Sequence, residues 1–511
     1  MGTRTIANMA RRTAKLAKLG LAARRVGTAK DDAQRERARR ALAALMADAR
    51  GIPMKFGQML AANNESAFGR LTHSVAALPV ADITAELARA WDRPISEVLA
   101  EIDDEGIAAS LGQVHRAVLH DGTEIAIKVR YPHIADAVTA ELKLAGLVPG
   151  VGPAKRWGFD LDAYRHMLAK NMARELDYQS EADRQARYGE HTEVPGLRVP
   201  SILPSLCRAN VLVQTWERGD RLEATSEWTP TEKRQVALIL IRTLFHSLFI
   251  GGQVHADPHP GNVYYSRRPT TVTLLDYGCT VDIAPQRRLA LLSLILASRG
   301  GSEVPPAAYL TAFGFDAGKL AHVAERLPAV CRIMFKPFFR ARAFANDRWR
   351  LGDDLRSILG DDRWWFRSAG PADSVLLVRA FQGLIRQLTH LGVALDWWSI
   401  LQDTVGPDRL AAARSFRPSP TTKQLATPMP MAATHLKVRV SENGVQRVAI
   451  ALPAESATQL RELIPPEISE LVRRSNVDLD HVQARVLATA LQPQPLLDVV
   501  DGSRRYRVWL E

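Results

Sequence analysis

Asp257 stands in the run His255-Ala256-Asp257-Pro258-His259-Pro260-Gly261-Asn262, and a second acid follows in Leu274-Leu275-Asp276-Tyr277-Gly278. An aspartate, an asparagine five positions on and a later aspartate ahead of an aromatic and a glycine make a set fit for phosphoryl transfer. One carboxylate orients or deprotonates the nucleophile, and hard oxygen donors hold Mg²⁺ against phosphate oxygens. Asp257 suits the first task; Asn262 and Asp276 suit the second. Taken alone, His-Ala-Asp-Pro-His reads equally well as a polar turn. The second segment decides, because Val272, Leu274 and Leu275 form an apolar strand that delivers Asp276 at its end. ATP and Mg²⁺ are the cofactors these residues imply.

Such a centre needs a lysine on a strand to anchor the phosphates, and Ala126-Ile127-Lys128-Val129 lies upstream in the order a protein kinase requires. Lys128 is the expected phosphate ligand. A glycine-rich loop should precede it, but the chain reads Ile107-Ala108-Ala109-Ser110-Leu111-Gly112-Gln113-Val114-His115. Alanine restricts φ and keeps the backbone farther from phosphate, so Ala108, Ala109, Ser110, Gly112 and Gln113 are expected to hold nucleotide in a different pose from an ordinary protein kinase. Val211 to Trp216 reads as the strand entering a hinge, with the main chain of Thr215, Trp216 and Glu217 facing adenine.

Six motifs now stand in one order: Lys55-Phe56-Gly57-Gln58, Ala108 to His115, Ala126 to Val129, Glu175 to Ala182, His255 to Asn262 and Leu274 to Gly278. The chain resembles the UbiB-type atypical kinase family, which includes the AarF-domain and coenzyme-Q-associated kinase-like proteins, from about Arg50 to Leu401. The context of Ala49 to Leu60 looks most like the coenzyme-Q branch. The resemblance implies a bilobal kinase-like fold in which the Lys-x-Gly-Gln helix folds over the site and blocks the groove where a protein kinase receives a peptide. Lys55, with Gln58 beside it, would then reach Glu175 or Asp177. Glu181 is expected to pair with Lys128, although the acidic residues could exchange these roles. Two departures stand out. Ile107 and Glu105 occupy positions where the family carries alanine and proline, and Tyr277 replaces the commoner phenylalanine, a conservative change if its hydroxyl finds a partner.

At 511 residues, 46% of them hydrophobic, the chain is long enough for a two-lobed catalytic unit with additions. Cys207, Cys279 and Cys331 have no metal-ligand spacing and fit a reduced cytosol. The net charge of +12 calls for an anionic partner. Much of it lies before residue 51, where Arg11, Arg12, Lys15, Lys18, Arg24 and Arg25 accompany Leu16, Leu19 and Val26 at helical spacing. Such a segment suits an anionic membrane surface, and equally a solvated helix on the kinase lobe; a lipid or quinone precursor as partner is what the family resemblance implies. No motif supports nucleic acid as a partner. Neither a secretory signal nor an uninterrupted membrane span is visible, since Arg242 and His246 interrupt the apolar run Val236 to Ile250. The expected location is cytoplasmic, with peripheral membrane attachment left open.

The fold class expected is α+β: a bilobal kinase-like unit with an N-terminal helical extension and a small C-terminal α/β module. The divisions are a basic amphipathic extension at 1–48, the Lys-x-Gly-Gln helical region at 49–78, an N-lobe with inserted helices at 79–215 and a C-lobe at 216–410. A Pro/Thr/Ala-rich linker at 411–433 and an accessory domain at 434–511 complete the chain. In that last domain "HLKVRV", "RVAIAL" and "RYRVWL" alternate as strands, Asn443-Gly444 marks a hairpin, and self-association or a protein partner is a role open to it. Three functions compete. An ATP-hydrolysing UbiB-type kinase-like enzyme supporting quinone or isoprenoid-lipid synthesis leads. A small-molecule phosphotransferase of the aminoglycoside or choline kinase kind, and a nucleotide-binding pseudokinase scaffold, follow.

Overall fold

The computed structural model of the chain describes residues 77–511 apart from 110, 133, 137, 139–156, 258, 420–427 and 476, with four single positions before residue 50. The basic extension apart from those four positions, and Lys55, Gln58 and Ser110, therefore lie outside the described residues.

Helix α1 (Val80–Trp91) lays Ile83, Leu87 and Trp91 on one face of the N-lobe sheet. Strands β1 (Leu99–Ile102), β2 (Ile107–Ala108), β3 (Gly112–Leu119) and β4 (Glu124–Arg130) follow. With β6 (Val211–Thr215) they make a sheet of order β1-β3-β4-β6, and β2 folds back on β3. Strand β4 forms where Ile125, Ile127 and Val129 alternate inward. Between β4 and β6 run α2 (Leu161–Leu176) and α3 (Tyr178–His191), broken from each other at Asp177, whose carboxylate accepts the Ser180 N–H and caps α3. The short β5 (Leu197–Arg198) then joins the C-lobe.

The C-lobe begins with α4 (Pro230–His246), started by a Thr229–Glu232 capping box and Pro230. Strand β7 (Gln253–His255) pairs with β10 (Thr280–Asp282), and β8 (Val263–Arg267) forms a hairpin with β9 (Thr270–Leu274). These two small ribbons present the two aspartate segments side by side. Behind them pack α5 (Pro285–Gly300), α6 (Pro306–Phe313), α7 (Ser374–Leu391), α8 (Trp397–Val405) and α9 (Pro407–Ser415). Trp397 is wholly buried among Phe245, Phe338, Trp349 and Phe381. Among the described residues, Pro230–Gly251 alone is long and apolar enough to cross a bilayer, and it is a core helix of this lobe.

Helix α9 extends through Ser415, into the stretch read as a linker, and Met429 pairs with Ser302, so both ends of that stretch are anchored. Beyond it, β11 (His435–Glu442), β12 (Val445–Pro453), β13 (Gln494–Asp501) and β14 (Arg504–Leu510) form a sheet of order β12-β11-β14-β13. Asn443 and Gly444 both take positive φ, as the hairpin turn demands. Helices α10 (Pro466–Arg474) and α11 (Leu479–Ala488) belong to the same module, where Val472, Val482 and Val486 pack with strand residues Leu436, Leu497, Val508 and Leu510. The bilobal α+β kinase-like architecture is the one the motifs imply.

Candidate active site

Lys128 Nζ bonds Glu181 Oε1 at 2.7 Å and Asp276 Oδ2 at 3.1 Å, so strand β4, helix α3 and the segment after β9 meet at one ammonium group. Burial works against the Lys128 charge, but the Asp276 and Glu181 carboxylates outweigh it and hold the pKa well above the usual lysine value. Burial pushes the Glu181 carboxyl up while Lys128 opposes it. The open question of which acid pairs with Lys128 therefore resolves to Glu181. Asp177 is committed to capping α3, and Glu175 is buried with its Cγ near Gly278, where a Cβ would lie 3.5 Å from it. Of the two acids expected to meet Lys55, Glu175 is the one at the centre.

His255 is half-buried, desolvation holds its imidazole below the usual histidine pKa, and its ring nitrogen bonds the Asp276 carbonyl at 2.5 Å. Asp276 Oδ1 accepts the Gly278 N–H at 2.9 Å. Tyr277 between them meets His255 edge-on and Tyr188 of α3 at a tilt. Its hydroxyl, on which the conservative reading of the Phe-to-Tyr change depended, is buried with no partner among the described residues. The Leu275 N–H donates to the Asn262 carbonyl at 3.0 Å, which sets Asn262 and Asp276 next to each other at the mouth of the β8–β9 hairpin. An amide oxygen and a partly exposed carboxylate are the donor set Mg²⁺ takes beside phosphate oxygens, and the residues fit it.

Asp257 is 5% exposed and shares a 2.5 Å ion pair with Arg379 of α7, itself 8% exposed. Burial lowers the Arg379 pKa, but Asp257, Cys279, Glu175 and Asp276 around it more than offset this and raise it. The sequence reading missed Arg379. The available signal was a charge on the buried face of α7, in line with Leu376, Ala380, Gly383 and Leu384. It also missed Arg184, one turn beyond Glu181, which donates to Tyr277 O, Ser180 Oγ and Arg174 O and ties α2, α3 and the Asp276 segment together.

One expected nucleotide contact, Gln113, is corrected. Gln113 pairs across the sheet with Val129 and Val114 with Lys128, so Gln113 lies on the face opposite Lys128. Its amide accepts the Leu78 N–H at 2.7 Å, donates to the Leu78 carbonyl at 3.1 Å and donates to His115 Nε2 at 2.8 Å, leaving no proton for a phosphate. At the hinge, the Thr215 N–H donates to Ser201 O and the Trp216 N–H to Glu124 O. Of those three donors only the Glu217 N–H has no acceptor among the described residues. In the covering loop, Ala108 sits on β2 and the Ala109 N–H closes the turn onto Gly112 O at 2.8 Å. Gly112 itself is obligatory, since a Cβ there would lie 2.2 Å from Val129 O and 2.7 Å from the Tyr178 hydroxyl.

A cleft of about 600 Å³ opens between α2 and the C-lobe, floored by Thr280 to Asp282 just beyond Gly278. Met167, Phe313 and Leu376 give it apolar walls, while His166 and Lys170 add polar ones. Its two acids are already paired, Asp282 with Arg174 and Asp373 with Arg287.

A kinase-like bilobal fold with this lysine–glutamate–aspartate centre defines the class. Residues 70–300 match the family model of the ABC1 atypical kinase-like domain. The chain is 28% identical over 395 residues to "Atypical kinase COQ8B, mitochondrial" of Rattus norvegicus, covering 73% of this chain and 72% of that one. It is 26% identical over 298 residues to "Atypical kinase coq-8, mitochondrial" of Caenorhabditis elegans, covering 56% of this chain but 40% of the worm protein. Among solved structures, the erythromycin complex of Rv3197 from Mycobacterium tuberculosis aligns at 20% identity with a TM-score of 0.46 over 70% of this chain and 88% of that chain.

Proposed function

We propose that the chain binds Mg-ATP and turns it over as a UbiB-type atypical kinase or ATPase that supports quinone or isoprenoid-lipid metabolism at a membrane surface. The observation that carries the reading is the Lys128–Glu181 ion pair closed onto Asp276, the arrangement an active phosphotransfer centre uses. In this reading Lys128 holds the α- and β-phosphates and Glu181 fixes the lysine. Asn262 and Asp276 hold Mg²⁺, which would neutralise charge on the phosphates. Asp257 orients the acceptor oxygen, water or hydroxyl. Glu175 stands where Lys55 would close over the centre. The cleft beside the Asp276 segment, with apolar walls and the Lys170 ammonium among its lining residues, suits an amphipathic anionic molecule as acceptor or effector. Two relatives carry mitochondrial atypical-kinase names; the quinone and lipid assignment comes from the family resemblance.

One observation favours a second reading. Asp257 is locked in a buried pair with Arg379, which occupies the carboxylate that would orient the acceptor and suits a nucleotide-binding scaffold that transfers nothing. Mg²⁺-dependent phosphate release, measured with and without phosphatidylglycerol vesicles and a simple phenol, separates the two. Release that rises with lipid or phenol and is lost in Asp276→Asn supports turnover at a membrane. ATP binding without release under every condition refutes it in favour of the scaffold.

A further inference from the structure

The chain leaving the hinge is fastened to the loop that carries Asn262. Asp220 and Tyr265 of β8 exchange both main-chain bonds, the Asp220 N–H donating to Tyr265 O at 2.7 Å and the Tyr265 N–H to Asp220 O at 3.0 Å. Gly219 lies so close to the same strand that a Cβ there would stand 2.7 Å from Tyr264 Cβ and 2.9 Å from Tyr265 O. Arg221 then turns its guanidinium onto the loop. Its Nη1 donates to the Gly261 carbonyl at 2.7 Å and its Nη2 to the Tyr264 hydroxyl at 3.3 Å, with the guanidinium carbon 4.2 Å from the centre of the Tyr264 ring. Ring and hydroxyl together fix the direction of the fork. Gly261 immediately precedes Asn262, and the peptide between them has an anchor at each end. Arg221 holds its carbonyl, and His259 O accepts its Asn262 N–H at 2.9 Å. The neighbouring groups are also taken up: His259 Nδ1 accepts the Gly261 N–H at 3.0 Å and Asn262 O the Leu275 N–H at 3.0 Å. Those bonds arise within the two aspartate segments, whereas the one to Gly261 O is brought from the hinge.

We propose that Arg221 is a positioning residue for the metal site: it fixes the Gly261–Asn262 peptide, and with it the direction of the Asn262 amide, from the segment that follows the hinge. The inference rests on the reading of Asn262 as a Mg²⁺ ligand. Magnesium demands near-octahedral geometry, so a ligand whose peptide plane can tilt weakens metal binding before it weakens the hold on the nucleotide itself. Glu217, whose N–H is open to a base, stands on the same segment shortly before Arg221. Base and metal are then referred to one rigid frame, which sets the span between them.

Binding of a fluorescent ATP analogue to the full chain, titrated with Mg²⁺, tests this beside amide hydrogen exchange of the nucleotide-free protein. In Arg221→Met the Mg²⁺ midpoint should rise about tenfold, the worth of one charge-assisted hydrogen bond, while binding in excess EDTA and the urea midpoint stay as in the wild type. Tyr264→Leu keeps the Arg221 charge but removes its platform, and should shift the Mg²⁺ midpoint in the same direction by less. In the nucleotide-free chain the Asn262 N–H should exchange about tenfold faster in Arg221→Met, the same bond read without any ligand. An unchanged Mg²⁺ midpoint in Arg221→Met, a loss of affinity equal with and without the metal, or a Tyr264→Leu midpoint equal to that of the wild type overturns the proposal. If Arg221→Met does not fold, Tyr264→Leu decides by the same readouts. A wild type that binds no ATP sinks the Mg-ATP reading and the metal role with it; failure of the positioning claim is told apart because it alone leaves the Asn262 exchange rate unchanged.

Discussion

Arg379→Met removes the guanidinium from Asp257 while keeping the bulk of the side chain on α7. The pair is 2.5 Å between heavy atoms and buried on both sides. At roughly 4 Å between charge centres and an effective dielectric near 20, the attraction is about 4 kcal/mol. Desolvating two ions costs about as much, so the pair as a whole contributes little net stability. Truncating one member is different, because the carboxylate stays buried after losing its cation, and the expected cost is about 3–5 kcal/mol. Urea denaturation reads it as a shifted midpoint at unchanged slope. Adding Asp257→Asn should restore more than half of the loss, because the stranded charge disappears. A cost below about 1 kcal/mol, or a double variant as unstable as the sum of its parts, would refute the reasoning.

Gly112→Ala should cost about 1–3 kcal/mol in the same assay, since its Cβ collides with the Val129 carbonyl of a central strand; a neutral result would mean β3 and β4 can part. Tyr277→Phe should raise stability by about 1 kcal/mol by deleting a buried hydroxyl without a partner, and a loss would show that the hydroxyl is satisfied. Burial, helped by Arg409, holds His246 below its ordinary pKa of 6.5, so the unfolded chain takes up that proton first. Its contribution is complete above 6.5 and is lost as pH falls below it. His246→Gln should flatten the decline in urea midpoint between pH 7.5 and 5.5, and an identical decline in the variant rejects the assignment.

The centre was legible where chemistry demands rare residues at short range: Asp257 and Asn262 share one turn, and Asp276 ends an apolar strand. Glu181 could be separated from Asp177 only once the helix was seen to break at Asp177, which spends that carboxylate on a cap. Gln113 was misassigned because adjacency to the covering loop outweighed strand alternation, which turns it away from Lys128. Arg379 lies 122 residues from Asp257, and no local pattern links a C-lobe helix to the loop it neutralises. In the C-terminal module the alternating β11, β12 and β14 were readable, whereas Pro495 and a bulge disguised β13.

The Gln113 amide holds Leu78 by both main-chain groups, as a neighbouring strand would. Leu78 is therefore stitched to β3 at the residue after Gly112, beside the turn that the Ala109 N–H closes. Tension along the chain arriving at Leu78 is borne by that stitch and passed into that turn before it reaches α1. Leu78 and the covering turn are thus held to one strand, so a displacement of Leu78 is a displacement of the turn's own support.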